Sequence, residues 1–228
     1  MEKLLFNNFE IENDNVTYWD SYYAGTEISL EESSFCKFTK RFVSKNSLII
    51  DIGCGSGRDS QSFAKSGFKV IGLDRSKEAI KKNLLSIKAI KEKFCLDIEF
   101  IQLDLKESVV IEELLKELFV DNNKKNIVIY LRFLLHSIDK NTEEELFSIL
   151  STHLPSGSLI AAEFRTIEDK GKSKIYDNHY RRFIKAEDLM NDLKSQYGFE
   201  ELYFTKGTGL SVYKDEDPFL ARIIARKL

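Results

Sequence analysis

The sequence predicts an α/β fold, a mostly parallel sheet with helices on both faces. Three observations predict it. Leu48-Ile49-Ile50-Asp51-Ile52-Gly53-Cys54-Gly55-Ser56-Gly57-Arg58-Asp59-Ser60 passes from an apolar β-prone run through three alternating glycines into a helix-competent segment. That order reads strand, tight turn, helix. Further apolar runs of strand length alternate with segments of helical periodicity. Finally, charged residues close those runs at Asp74, Asp104, Arg132 and Arg165, the side on which open α/β sheets bind ligands.

The bulk numbers set the frame. The chain has 228 residues, 43% of them hydrophobic, which suits one domain over 1–228 with a sizeable core. We divide it into an N-terminal cap (1–46) and a core (47–228). A formal charge of -3 gives no bulk attraction to nucleic acid. Cys36, Cys54 and Cys95 are odd in number and far apart, which suggests neither a disulfide framework nor a metal site and fits a reducing cytoplasm. Met1 to Asn8 lacks the apolar core of a signal peptide. No apolar run approaches the roughly 20 residues that span a bilayer.

Taken in order, the cap comes first. Phe35, Phe38 and Phe42 fall at helical spacing between Glu31 and Val43, the pattern of a helix on the sheet edge. Tyr18-Trp19-Asp20-Ser21-Tyr22-Tyr23 crowds rings into a polar stretch and reads as a lid. The second strand, Phe68 to Asp74, ends in an acid placed to take ribose hydroxyls. Ser76 reads as the cap of the next helix, whose apolar face is Ile80, Leu84 and Ile87. Asp97 to Leu105 is the third strand, Val109 to Phe119 a helix, and 121–126 a turn. Ile127 to Arg132 is continuously apolar, as a central parallel strand requires. Glu143 to Leu154 is a helix and Ser158 to Arg165 the fifth strand. A long polar loop over 166–180 follows, of the kind that is usually functional. A helix over Lys185 to Tyr197 and two closing strands, Phe199–Thr205 and Phe219–Arg226, complete the chain.

The glycine corner favours one ligand class. Its spacing is G-x-G-x-G, not the G-x-G-x-x-G of dinucleotide sites. Asp51, inside the strand, would repel a pyrophosphate and suit a ligand ammonium. The corner with Asp74 and Asp104 resembles the motifs of class I S-adenosylmethionine-dependent methyltransferases. That resemblance implies a Rossmann-like seven-stranded sheet whose last strand inserts antiparallel, and S-adenosylmethionine as cofactor, leaving as S-adenosylhomocysteine. It places Asp51, Gly53, Gly55, Gly57 and Asp74 at the cofactor, with their neighbours Arg58, Arg75, Leu105 and Leu131. It gives Asp104 to the adenine amino group, a residue that also suits a helix cap, and Trp19 or a neighbouring tyrosine to the sulfonium.

The acceptor half is read from charge. Arg132, His136 and Arg165 fall at or just past the ends of the fourth and fifth strands, and the 166–184 segment adds His179, Arg181 and Arg182. Were 132–138 helical, Arg132 and His136 would share a face. Were 179–182 extended, His179 and Arg181 would share a side. Arginine forks hold phosphates and carboxylates, so the expected acceptor is a small anion contacted by these six residues with Tyr22 and Tyr23. Arg132, His136, His179 and Arg181 are the candidate catalytic groups, and a hydroxyl acceptor would use a histidine as base. The competing reading is that these arginines pair with acids such as Glu163. Tyr130-Leu131-Arg132-Phe133 replaces the Asn/Asp-Pro-Pro-Tyr/Phe of amino-group methylases of DNA and protein. Tyr130 to His136, Glu163 to Thr166, His179 to Ile184, and Gly209 to Lys214 with Glu216-Asp217-Pro218 resemble a narrower group from bacterial surface-polysaccharide gene clusters. That group includes enzymes implicated in methylating a phosphoramidate capsule decoration. A non-catalytic protein of the same fold, a nucleic-acid methyltransferase and a NAD-type oxidoreductase are the alternatives.

Overall fold

A computed structural model describes residues 17–25, 31–121, 126–172, 174 and 179–228. The N-terminal octet, most of the 121–126 turn and part of the 166–180 loop lie outside these residues. A helix over 17–25, α1, is followed by α2 (Ser34–Thr39), β1 (Leu48–Ile52), α3 (Arg58–Lys65), β2 (Lys69–Asp74), α4 (Lys77–Phe94), β3 (Ile98–Gln102) and α5 (Ser108–Asp121). Then come β4 (Ile127–Arg132), α6 (Lys140–His153), β5 (Leu159–Arg165), α7 (Ala186–Ser195), β6 (Phe199–Gly207) and β7 (Leu220–Lys227).

The sheet order is β3-β2-β1-β4-β5-β7-β6. β1 to β5 pair in parallel, and β7 runs antiparallel between β5 and β6. The order reverses between β1 and β4, which opens a crevice at their carboxyl ends. Alternation along the strands divides the core. Ile50, Ile52, Ile129 and Leu131 pack in the layer that contains residues of α5, α6 and α7. Ile49, Val70, Val128 and Tyr130 pack in the layer with Phe63 of α3 and Ile80 and Ile87 of α4. Among the described residues, no helix is long and apolar enough to cross a membrane.

Three local expectations are corrected. The helix read over 31–43 covers only Ser34–Thr39, because the chain then tightens into i→i+3 turns, with Arg41 N donating to Phe38 O and Phe42 N to Thr39 O. Ser33 caps this helix, its hydroxyl accepting from Cys36 N. Residues 132–138 do not form an α-helix. Arg132 ends β4, Phe133 takes φ 58°, and His136 lies in a single 3-10 turn over Leu135–Ser137. The i, i+4 relation between Arg132 and His136 is therefore absent. Asp104 does not cap α5, which starts at Ser108, but closes the turn before it by accepting from Lys106 N at 3.1 Å. Ser76 caps α4 as read, accepting from Ala79 N.

Candidate active site

A cleft of about 1100 Å³ lies over the carboxyl ends of the parallel strands. Its first half is built on the glycine corner. Gly55 has φ 51°, and a Cβ there would lie 2.3 Å from Tyr23 Oη, so only glycine lets the Tyr23 hydroxyl close on the main chain at that point. Gly55 N donates to Asp74 Oδ2 at 2.8 Å, and Ser76 N donates to Asp74 Oδ1 at 2.8 Å. Asn83 Nδ2 holds the Gly55 carbonyl at 2.8 Å. Gly57 does another job. It sits outside the cleft lining, where a Cβ would strike Asn83 and Phe100 at 2.8 Å, so it serves the packing of α3 onto α4 and β3.

This half gathers acids. Asp51 is 3% exposed and accepts from the Ser60 hydroxyl at 2.5 Å. Burial, with help from Asp59 and Asp74, pushes its carboxyl up to about 7 despite that hydrogen bond. Burial also raises Asp74, and the charge of Asp20 adds to it. Asp20, on α1, accepts from Ser76 Oγ at 2.5 Å, which ties α1 to the start of α4. Four rings of α1 face the cleft: Tyr18, Trp19, Tyr22 and Tyr23. Trp19 stacks on Tyr23 at 5.8 Å between centroids, and Tyr18 stacks on His179 at 4.7 Å. Arg58, Arg75, Asp104 and Leu105 also line the cleft, whereas Leu131 is wholly buried in the sheet core.

The second half is built on cross-strand register. Arg132 pairs in the ladder with Glu163, and Glu163 with Arg222, so the three side chains share one face of the sheet. Arg132 Nε lies 3.2 Å from Glu163 Oε1, and Arg222 Nε lies 2.7 Å from Glu163 Oε2. Asp59 stands close to Arg132, at 3.9 Å. Its carboxylate accepts from Ser33 N and Oγ, both at 2.7 Å, and from the Tyr130 hydroxyl at 2.8 Å. Arg165 bonds Asp169 at 2.6 Å and also Glu216.

These contacts correct the picture of arginines open to an anion. Arg132 and Arg165 line the cleft with their charge shared among acids. Arg182 lies off the cleft, pairing with Glu143 and donating to the Leu135 carbonyl at 3.1 Å. Arg181 and His179 line the cleft together, Arg181 Nη2 lying 3.0 Å from His179 Nε2. His136 is 4% exposed and accepts at Nδ1 from Arg165 N at 3.3 Å. Burial, then the charges of Arg165, Arg181 and Arg182, hold it well below the usual imidazole range.

Some site residues escaped sequence reasoning. Asp59 carried no spacing signal, and its partners lie 26 and 71 positions away. Asp20 sits inside an aromatic run that masks it. Ser211 and Glu216 were legible only as part of the 209–218 motif. That segment forms a wall, with Arg222 Nη2 donating to Leu210 O at 2.6 Å and Arg132 Nη2 to Ser211 Oγ at 3.3 Å.

A glycine corner answered by a strand-end acid, at the switch point of a seven-stranded sheet closed by a reversed last strand, defines a methyltransferase-type fold. The chain belongs to a methyltransferase-domain family whose model matches residues 43–196. No curated protein matches it. Among solved structures, it is similar to an S-adenosylmethionine-dependent methyltransferase from Anabaena variabilis, with 18% identity, TM-score 0.66 and 93% of each chain covered. One from Methanosarcina mazei has 18% identity and TM-score 0.62, covering 84% of this chain and 97% of that one. A glycopeptide N-methyltransferase complexed with S-adenosylhomocysteine has 13% identity and TM-score 0.62, covering 86% of this chain and 90% of that one. By its family model the chain is a methyltransferase-domain protein, and its fold is similar to that of S-adenosylmethionine-dependent methyltransferases.

Proposed function

We propose that the chain transfers a methyl group from S-adenosylmethionine to a small anionic acceptor, a carboxylate, phosphate or phosphoramidate. The division of charge across one cleft carries this reading. Asp51, Asp74 and Asp20 gather at the glycine corner, while Arg132, Arg165 and Arg181 line the other half, the first two with acids beside them. A cation suits the first half and an anion the second. The residues present fit the cofactor: a glycine corner without side chains at Gly53 and Gly55, a carboxylate at Asp74 for ribose, Asp51 for the ammonium, and rings on α1 for the sulfonium. When bound, S-adenosylmethionine supplies a methyl group already activated on sulfur. The protein's part is then alignment, which supplies roughly 7–11 kcal/mol in well-oriented systems. Arg181 would orient the acceptor, beside Arg132 and Arg165 already held by their acids. The 130–136, 163–166, 179–184 and 209–218 motifs support a place in surface-polysaccharide synthesis.

Two measurements test this. Assays of S-adenosylhomocysteine release over a panel of small carboxylates, phosphate esters, alcohols and amines should favour the anions. Arg181→Ala should raise KM for them roughly tenfold, as loss of one charged hydrogen bond costs about 1.5–3 kcal/mol. A preference for neutral acceptors, unchanged in that variant, refutes the reading. The second measurement concerns Asp51. A ligand ammonium pairing with it must drive off the proton it holds below about pH 7. Affinity for S-adenosylhomocysteine should therefore rise about tenfold per pH unit up to pH 7 and level off above it. Calorimetry should record proton release on binding, and Asp51→Asn should abolish the slope. A flat profile in the native protein removes Asp51 from that role.

A further inference from the structure

His136 has a fixed orientation. Arg182 N donates to its carbonyl at 2.7 Å, and the Phe133 ring meets its imidazole edge-on at 5.5 Å. Its Nδ1 accepts from the backbone N–H of Arg165, the last residue of β5, at 3.3 Å. A backbone N–H is an obligate donor, so Nδ1 must present a lone pair. In a neutral imidazole the proton then resides on Nε2. Among the described residues Nε2 has no hydrogen-bond partner, and His136 lines the cleft. The charged and titratable groups acting on this ring are Arg165 at the end of β5, and His179, Arg181 and Arg182 from the segment after the loop. All of them oppose a second proton.

We infer that His136 stands in the acceptor half as a fixed Nε2–H donor, and that the atom methylated arrives with no proton to lose: an anionic oxygen of carboxylate or phosphate type. This rests on the anionic-acceptor reading and sharpens it. A general base at this position needs a free lone pair facing the acceptor, and here the lone pair is turned to β5. The transfer balances without a base. One lone pair of the oxyanion forms the C–O bond as the S–C bond breaks. The positive charge on sulfur and the negative charge on oxygen disappear together, and no proton moves. His136 holds one acceptor oxygen by hydrogen bond while another attacks, so it is a positioning and specificity residue.

The tautomer can be read without turnover. The chain has three histidines, and His136→Gln identifies the ring signals of interest in protein labelled with nitrogen-15 at histidine. Two-bond nitrogen–proton correlations from about pH 5.5 to about pH 8.5 should show the Nε2–H tautomer throughout, with no imidazolium. An Nδ1–H pattern, or a titration within that range, overturns the inference. Titration with inorganic phosphate and, separately, acetate in the presence of S-adenosylhomocysteine should shift the Nε2–H proton. The anion giving the larger shift identifies the acceptor class. An unchanged tautomer with no shift from either anion overturns the anionic-acceptor reading and leaves the donor assignment standing.

Discussion

Asp74→Ala should weaken S-adenosylhomocysteine binding roughly a hundredfold. The carboxylate accepts from Gly55 N and from Ser76 N, both at 2.8 Å, so it shapes the glycine corner before any ligand arrives. On the proposed reading it also takes the ribose hydroxyls, and two charge-assisted bonds together contribute about 3 kcal/mol, close to two decades of affinity. Asp74→Asn keeps one acceptor oxygen and should lose less. Titration calorimetry on both variants, with melting curves to confirm folding, checks the order. A folded Asp74→Ala that binds within twofold of the native protein would show that the ribose is held elsewhere.

Glu163→Ala should be the most destabilising single change in the site. Glu163 is 0% exposed and bridges Arg132 and Arg222, themselves largely buried. Burial pushes its carboxyl up, and the two arginines pull it back toward ionisation. Removing it leaves two guanidinium groups without their shared counter-charge, a loss of about 3–5 kcal/mol. For a chain of this size that lowers the melting temperature by roughly 10 °C. Denaturant titration gives the free energy directly. A loss below about 1 kcal/mol would mean that Asp59 and the Leu210 carbonyl, already near these arginines, take over.

The contrast between Ile127–Arg132 and the acceptor half explains what sequence can carry. β4 was read residue for residue because a strand buried on both faces must be apolar throughout, and only a short segment satisfies that. Gly55 and Asp74 were legible because turn geometry and strand ends leave local marks. The arginines were legible as positive charge and nothing more. Whether such a charge is spent on an acid depends on register and on distant loops. Glu163 faces Arg132 through the β4–β5 pairing, and Glu216 reaches Arg165 from 51 positions away. The apparent i, i+4 pair of Arg132 and His136 failed for a related reason. Phe133 at φ 58° breaks the run, and an aromatic residue gives no warning of that conformation.

The reversed strand β7 has a consequence for the evolution of selectivity. Arg165 pairs with Leu220 and Leu220 with Gly207, so the connection between β6 and β7 emerges at the cleft's mouth. Because β7 reverses direction, the chain turns back at that rim instead of crossing to the far end of the sheet. Inversion thus gives the cleft a replaceable doorway of about a dozen residues between β6 and β7. Exchanging this doorway between homologues offers a route to new methyl recipients that leaves the donor grip untouched.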